Sequence, residues 1–121
     1  MTDLSANVRS LPFADQLRLP LIAAPMLRVS GPELVMAACR AGVIGAFPTA
    51  NCRDNAMLEA WMSQMRAQTD AARGQGLKVA PFCPNLIMRR SAEQLRDDVA
   101  TIVRHRTEVV ITSVGSPTKF Q

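Results

Sequence analysis

The 121-residue sequence predicts an α/β protein with a parallel sheet, the N-terminal half of a TIM-type (β/α)8 barrel. Short apolar runs alternate with segments of helical periodicity, which is the pattern of repeated βα units. The apolar runs lack polar alternation, as expected for strands that are buried on both faces. No GxGxxG turn follows the first run, so an open dinucleotide-binding sheet loses its usual support and a barrel is favoured.

The first βα unit begins with a strand expected at Leu21–Ala24, a continuous apolar run between two prolines. Ser30 and Glu33 have the spacing of a capping box, in which each side chain bonds to the other residue's backbone N–H, and they predict a helix start. Gly42 predicts the end of that helix, because glycine readily adopts the left-handed conformation found after a last turn.

The second unit begins with a strand expected at Val43–Phe47, which Pro48 ends. Asp54 is a good N-cap residue and predicts the start of a longer helix that stops at the glycines near residue 75. One stripe of that helix is apolar and rich in methionine. We interpret the stripe as core packing rather than as a ligand surface, because methionine fills irregular gaps between layers. Its members are Met57, Leu58, Trp61, Met62 and Met65.

The third strand is expected at Leu77–Phe82, and Ser91 with Gln94 forms a second capping box ahead of the third helix. His105 falls in the last turn of that helix, where the helix dipole favours a cation. We expect its side chain to face solvent and to take no part in catalysis. The fourth strand is expected at Val109–Ser113.

The predicted architecture accounts for all 121 residues as one domain. A complete barrel takes about 250 residues. We therefore expect residues 1–121 to form a partial barrel domain that is truncated after the fourth strand. A flavodoxin-like sheet would need a fifth strand and a closing helix, which the sequence does not contain.

The composition excludes several classes of partner. The net charge is +4 and the pI is about 9.6, but basic residues are interleaved with acidic ones and tyrosine is absent, so we expect no nucleic-acid binding. No apolar run has the length of a membrane span, and no signal peptide is predicted, so we expect a cytoplasmic protein with no membrane contact. The three cysteines form no CxxC pair, which favours a structural role over a disulfide or zinc site.

In a barrel, function gathers on the loops that leave the carboxyl ends of the strands. The four predicted loops contain no His, Asp, Glu or Tyr, and they offer amides, hydroxyls and a thioether on tight turns. Such groups suit the binding of a flat polar cofactor better than proton transfer. The alternative is that these are ordinary strand-to-helix turns. The loops are 25–28, 48–51, 83–86 and 113–117.

Motifs at these loops resemble the nitronate monooxygenase (2-nitropropane dioxygenase) family. The resemblance runs from about Leu19 to Pro117 and rests on PLIAAPM followed by SGPELVMAACRAGVIGAF, on PFCPNLI, and on VVITSVGSP. The first segment is the most specific, because the APM turn, the helix and the glycine-bounded strand entry occur together. The third-loop segment carries Cys83 and Pro84 where relatives often have Gly and Val.

The resemblance implies an FMN-binding barrel and assigns roles to five residues of this chain. Ala24, Pro25 and Met26 would lie against the isoalloxazine ring, Asn85 would hydrogen-bond to its polar edge, and Ser113 would be a neighbour of the ring. No catalytic residue is expected within the chain, because the family's base lies on a later strand, beyond Gln121. No metal is expected.

The activity that the resemblance implies is FMN-dependent oxidation of alkyl nitronates, with a nitronate or nitroalkane and oxygen as small-molecule substrates. We expect that activity of an intact parent, and an inactive 121-residue chain. One alternative is an FMN-dependent enoyl-ACP reductase of the same family. An alternative of another class is a non-enzymatic truncated product that persists as a homo-oligomer or by pairing with the missing half-barrel.

Overall fold

The computed structural model describes residues 9–116 and residue 118 of the chain. Four strands lie at Ile22–Ala23 (β1), Ile44–Pro48 (β2), Phe82–Ile87 (β3) and Ile111–Ser113 (β4). Helices lie at Pro32–Ala41 (α1), Asn55–Gly74 (α2) and Ala92–Arg104 (α3), and short 3-10 turns lie at Ala14–Gln16 and Thr49–Asn51.

The strands form one parallel sheet in the order β1-β2-β3-β4, so every strand lies beside its neighbours in the chain. The register pairs Ala23 with Gly45, and Gly45 with Phe82. The sheet curls and carries helices on one face, which is the architecture of half a (β/α)8 barrel. Within the described residues, β1 and β4 each pair on one side only.

The helix-covered face of the sheet holds the larger core. Phe47, Phe82 and Leu86 point from the strands into a buried cluster with the inner faces of the helices. Gly45 lets α1 lie directly on β2, because a Cβ at this position would stand 2.3 Å from the carbonyl oxygen of Val35. The methionine stripe of α2 is part of this core, as predicted: Leu58, Met62 and Met65 are fully buried, with Met57 and Trp61 packed against the cluster.

The opposite, concave face has a smaller buried cluster. Ile44 and Ala46 of β2 and Cys83 of β3 pack there against Phe13, which the segment before β1 brings under the sheet. Ile22 pairs with Ile44 and so lies on the same face, yet half of its surface is exposed. The concave side is therefore covered near its centre and left open toward β1.

The predicted third strand, Leu77–Phe82, is wrong, because the strand starts where the prediction ends. The backbone of residues 77–80 bonds elsewhere: the Val79 N–H donates to the Gln16 side chain, the Val79 oxygen accepts from the Arg73 guanidinium, and the Ala80 N–H donates to the Cys39 carbonyl. The segment 83–86, predicted as a loop, belongs to β3.

The other element boundaries differ less. β1 is two residues long and partly exposed, not a fully buried run, because it is an edge strand among the described residues. β4 begins two residues later than predicted. The Ser30–Glu33 capping box is wrong: α1 has Gly31 as its N-cap with no side-chain bond, and the Ser30 hydroxyl accepts instead from the Met26 N–H. Pro117 lies outside the described residues.

Two predicted helix starts are confirmed by their hydrogen bonds. The Asp54 carboxylate accepts from the Met57 N–H at 2.8 Å, and the Ser91 hydroxyl accepts from the Gln94 N–H at 3.2 Å. Cysteines 39, 52 and 83 are buried, as a structural role requires. No helix within the described ranges has the length and apolar character needed to cross a membrane.

Candidate functional site

The carboxyl ends of the four strands lie at staggered heights, and the register shows which residues are level. Pro48 ends β2 opposite Asn85, and Asn85 lies opposite Ile111. The β1–β2 pairing ends at Ala23 and Gly45. The turn after β1 therefore follows the same edge of the sheet as the carboxyl end of β3, with β2 between them.

The turn formed by residues 25–30 follows β1 and contains two of the residues assigned to the ring. Met26 has both backbone polar groups occupied: its N–H donates to Ser30 Oγ at 2.9 Å, and its oxygen accepts from the Val29 and Ser30 N–H groups. Its side chain is 45% exposed. Ala24 is exposed and Pro25 half-buried, so this strand end presents an uncharged surface.

Asn51 lies in the loop after β2, and its side chain joins that loop to the 25–30 turn by hydrogen bonds. Its Nδ2 donates to the carbonyl oxygens of Met26 at 3.0 Å and Ser30 at 2.9 Å, and its Oδ1 accepts from the Arg28 N–H at 2.8 Å. No short sequence motif points to Asn51. Its partners lie 21 to 25 residues away, so no local pattern identifies the contact.

Asn85 and Ser113 are brought together, as the resemblance implies for two neighbours of one ring. Asn85 is 5% exposed, and its Nδ2 donates to the Ile111 carbonyl at 3.2 Å and to Ser113 Oγ at 3.0 Å. Because a carbonyl oxygen requires a donor, the Ile111 contact fixes which amide atom faces β4. The carboxamide of Asn85 thus joins the ends of β3 and β4.

The other amide atom of Asn85, Oδ1, accepts no hydrogen bond from any described residue. No side-chain oxygen or nitrogen of the described residues is both buried and unpartnered, so this oxygen is not sealed within the core. It is an acceptor on the concave face, near the carboxyl end of β3. It would pair with an N–H of a ligand, whereas the amide N–H groups are already used.

His105 lies far from these strand ends, at the C-terminus of α3. Its Nε2 is 2.7 Å from Oε1 of Glu59, and its side chain is only 15% exposed, so the expected solvent-facing orientation is wrong. Hydrogen bonds from Arg104 and then His105 hold the pKa of Glu59 below its usual value. The contact between His105 and Glu59 joins the end of α3 to α2.

A second polar cluster lies between the loops after β2 and β3. The Arg90 guanidinium donates to Thr49 Oγ1 at 3.2 Å and to Asp98 Oδ2 at 3.0 Å, and Asn55 donates to the other Asp98 oxygen. These residues line a cleft of about 190 Å³. All groups named are paired, so the cluster holds the two loops together. Sequence reasoning missed it, because its members are up to 49 residues apart along the chain.

None of three clefts on the described surface is lined by an assigned residue. Ala24 and Met26 are exposed, so a ligand at the candidate site would need further walls. No group of His, Cys, Asp and Glu side chains within residues 9–116 has the arrangement of a metal site.

Comparison with solved structures identifies a similar fold. A point mutant of FabK from Thermotoga maritima is 26% identical to this chain with a TM-score of 0.67, and the likeness covers 88% of this chain and 33% of the FabK chain. The chain thus spans about a third of the length of that relative. No family model matches the sequence, and no curated protein does.

The likeness to FabK confirms the fold class, a partial TIM-type barrel. It also supports the family that the sequence motifs resemble, a family of FMN-dependent oxidoreductases, without distinguishing its members. The five assigned residues remain predictions.

Proposed function

We propose that these four strands and three helices provide the flavin-ring side of an FMN-dependent enzyme that oxidises alkyl nitronates. The observation that carries the proposal is Asn85: a nearly buried carboxamide that braces β3 against β4 and keeps one acceptor oxygen free at the strand ends. A complete barrel that contains these units, called here the intact parent, would carry the activity.

The residues at the strand ends fit an FMN ring in two respects. The Ala24–Met26 surface is uncharged and accessible, which suits contact with a flat aromatic face. Asn85 Oδ1 is an acceptor and would receive an N–H from the polar edge of the ring. FMN, when bound, supplies the electron acceptor for the nitronate.

This chain's residues would bind and orient the ring, and none of the five would transfer a proton. Ala24, Pro25 and Met26 carry no exchangeable side-chain proton. Ser113 Oγ accepts from Asn85 Nδ2, an amide that cannot serve as its base. The base that removes a proton from a nitroalkane, and the group that holds the flavin phosphate, are proposed to lie on the remaining units of the intact parent. The substrates would be a nitronate or nitroalkane and oxygen.

A second candidate is an FMN-dependent enoyl-ACP reductase of the same family, and the likeness to FabK favours it. The two candidates share the ring-binding surface and differ in the electron donor. A nitronate would reduce the flavin in one case, and a nicotinamide nucleotide in the other.

The test uses the purified intact parent. We expect a bound-flavin spectrum, with oxygen consumption and nitrite release on addition of a propyl nitronate and no requirement for NAD(P)H. Oxidation of NAD(P)H that depends on an enoyl thioester, without nitronate turnover, would replace the first candidate by the second. A preparation that is active without flavin would remove both.

A further inference from the structure

We infer that Asn51 is a positioning residue for the flavin ring, although it is not among the residues assigned to contact it. Its carboxamide bonds to three alternate residues of the 25–30 turn, Met26, Arg28 and Ser30, from the loop after the next strand. The inference rests on the proposed function, because it takes Met26 to lie against FMN.

The 25–30 turn needs an external partner to keep its shape. Arg28 has φ +65°, a left-handed conformation that residues with a Cβ seldom adopt. The Arg28 N–H donates to Asn51 Oδ1 at 2.8 Å. Without that acceptor the Arg28 backbone would be free to relax to an ordinary conformation, and the residues before it would move as well.

The shape of the turn decides where the Met26 side chain lies. Both backbone groups of Met26 are bonded within the turn or to Asn51, so only the side chain is available to a ligand. Asn51 itself is half-buried, with its carboxamide directed into the turn. It therefore acts on a ligand through Met26 rather than by direct contact.

The role of Asn51 depends on a side chain that donates and accepts at once. The substitution Asn51→Asp would keep the size of the side chain and the acceptor for the Arg28 N–H, but it would bring a carboxylate to the carbonyl oxygens of Met26 and Ser30. Asn51→Asp should therefore displace the turn as Asn51→Ala does, although it is nearly isosteric.

Asn55 provides a matched control four residues away. Its carboxamide is also part of a hydrogen-bonded cluster, with Asp98 at 3.2 Å and Thr101 at 3.1 Å, and these bonds lead to α3 rather than to the 25–30 turn. The substitution Asn55→Ala removes a comparable set of bonds and should lower stability without moving Met26.

The experiment titrates the apo form of the intact parent with FMN and follows the visible circular dichroism of the bound flavin. We expect Asn51→Ala and Asn51→Asp each to raise the Kd for FMN by about tenfold and to change the dichroism, because a misplaced contact alters both binding and ring environment. Asn55→Ala should lower the thermal midpoint of the apoprotein and leave the Kd and the dichroism as in wild type.

The outcomes separate this inference from the proposed function. If both Asn51 variants bind FMN with wild-type Kd and dichroism while Asn85→Ala weakens binding, the positioning role is wrong and the ring site stands. If Asn55→Ala reproduces the Asn51 effects, the cause is loss of stability and the inference fails. If wild-type parent binds no FMN, the proposed function fails first.

Discussion

At the scale of single residues, the position of a polar group relative to the strand ends separates a ligand contact from a structural tie. Asn85 and His105 are both largely buried and both hydrogen-bonded. Asn85 keeps an oxygen free on the concave face, whereas His105 faces Glu59 between two helices. Their substitution should therefore have different consequences.

The first prediction compares Asn85→Ala with His105→Ala in the intact parent. Asn85→Ala should weaken or perturb bound flavin, because it removes the free acceptor and the bond to Ser113. His105→Ala should leave turnover nearly unchanged and cost at most about 1 kcal/mol, the range for partly exposed ion pairs. Flavin titration and steady-state kinetics decide. A collapse in turnover for His105→Ala with the fold intact would contradict its placement away from the site.

The second prediction concerns the three thiols. Burial raises the pKa of Cys39 to about 11 and the pKa of Cys52 and Cys83 to about 12. We expect none to react rapidly with a disulfide reagent at pH 8, and all three to react in denaturant. Fast reaction of one thiol in the folded protein would contradict its burial.

The same shifts give a dependence of stability on pH. The folded pKa values lie above the ordinary value of 9.0, so the stability that the neutral thiols contribute is complete below pH 9 and is lost as pH rises through the folded values. The free energy of unfolding should fall from about pH 9 upward. Thermal midpoints between pH 8 and 10 measure this, and a midpoint that rises over that range would contradict it.

At the scale of elements, local signals predicted the structure where bonds stay local. Asp54 and Ser91 cap their helices through the N–H three residues on, and both were found from the sequence. Ser30 and Glu33 have the spacing of such a cap, but the Ser30 hydroxyl accepts from the Met26 N–H instead. The prediction placed β3 too early, because residues 77–80 have the apolar character of a strand. Their backbone groups instead form hydrogen bonds with residues of three other elements.

The residues of the candidate site also divide into those that local motifs predicted and those that depend on contacts between loops. Ala24 to Met26, Asn85 and Ser113 came from motifs, and the structure joins the last two directly. Asn51 and Arg90 were missed, because each makes its defining contacts with a different loop. Such contacts depend on how neighbouring βα units pack, which a single sequence does not encode in any short pattern.

The third prediction tests the contact between α1 and β2. Gly45→Ala would place a Cβ 2.3 Å from the Val35 oxygen, which is backbone and cannot rotate away. We expect a loss of about 1–3 kcal/mol, the usual cost of overpacking. The control is Gly74→Ala: a Cβ there meets nothing within 4 Å, so the helix should be unchanged or slightly stabilised. Thermal unfolding of both variants decides, and equal midpoints would contradict the close approach.

At the scale of the whole molecule, the sheet has two edges and a partly open concave face. β1 and β4 each pair on one side within the described residues, and apolar side chains are exposed beside both, Ile22 near one edge and Val110 near the other. Exposed strand edges are templates for pairing with another chain. A domain's stability is only about 5–15 kcal/mol, so a few such exposures are costly.

The fourth prediction is that the 121-residue protein associates at low micromolar concentration, with itself or with the rest of a barrel. Ile22→Lys should weaken self-association, because a charge on an edge strand opposes pairing. Val103→Lys is the control: Val103 is 70% exposed but lies on α3, away from both edges. Sedimentation velocity decides. A monodisperse wild-type monomer with sharp cooperative unfolding would show that the four strands close a core of their own.

The strand order has a consequence for how the protein is made. Within the described residues each strand pairs with the strands before and after it in the chain, so β2 finds β1 already synthesised, and β3 finds β2. Each pairing spans one helical crossover, from Ile22 to Ile44 in the first case and from Gly45 to Phe82 in the second, and none of these pairings waits for a strand beyond the next one. The sheet can therefore assemble unit by unit as the ribosome releases the chain, with β4 as the growing edge.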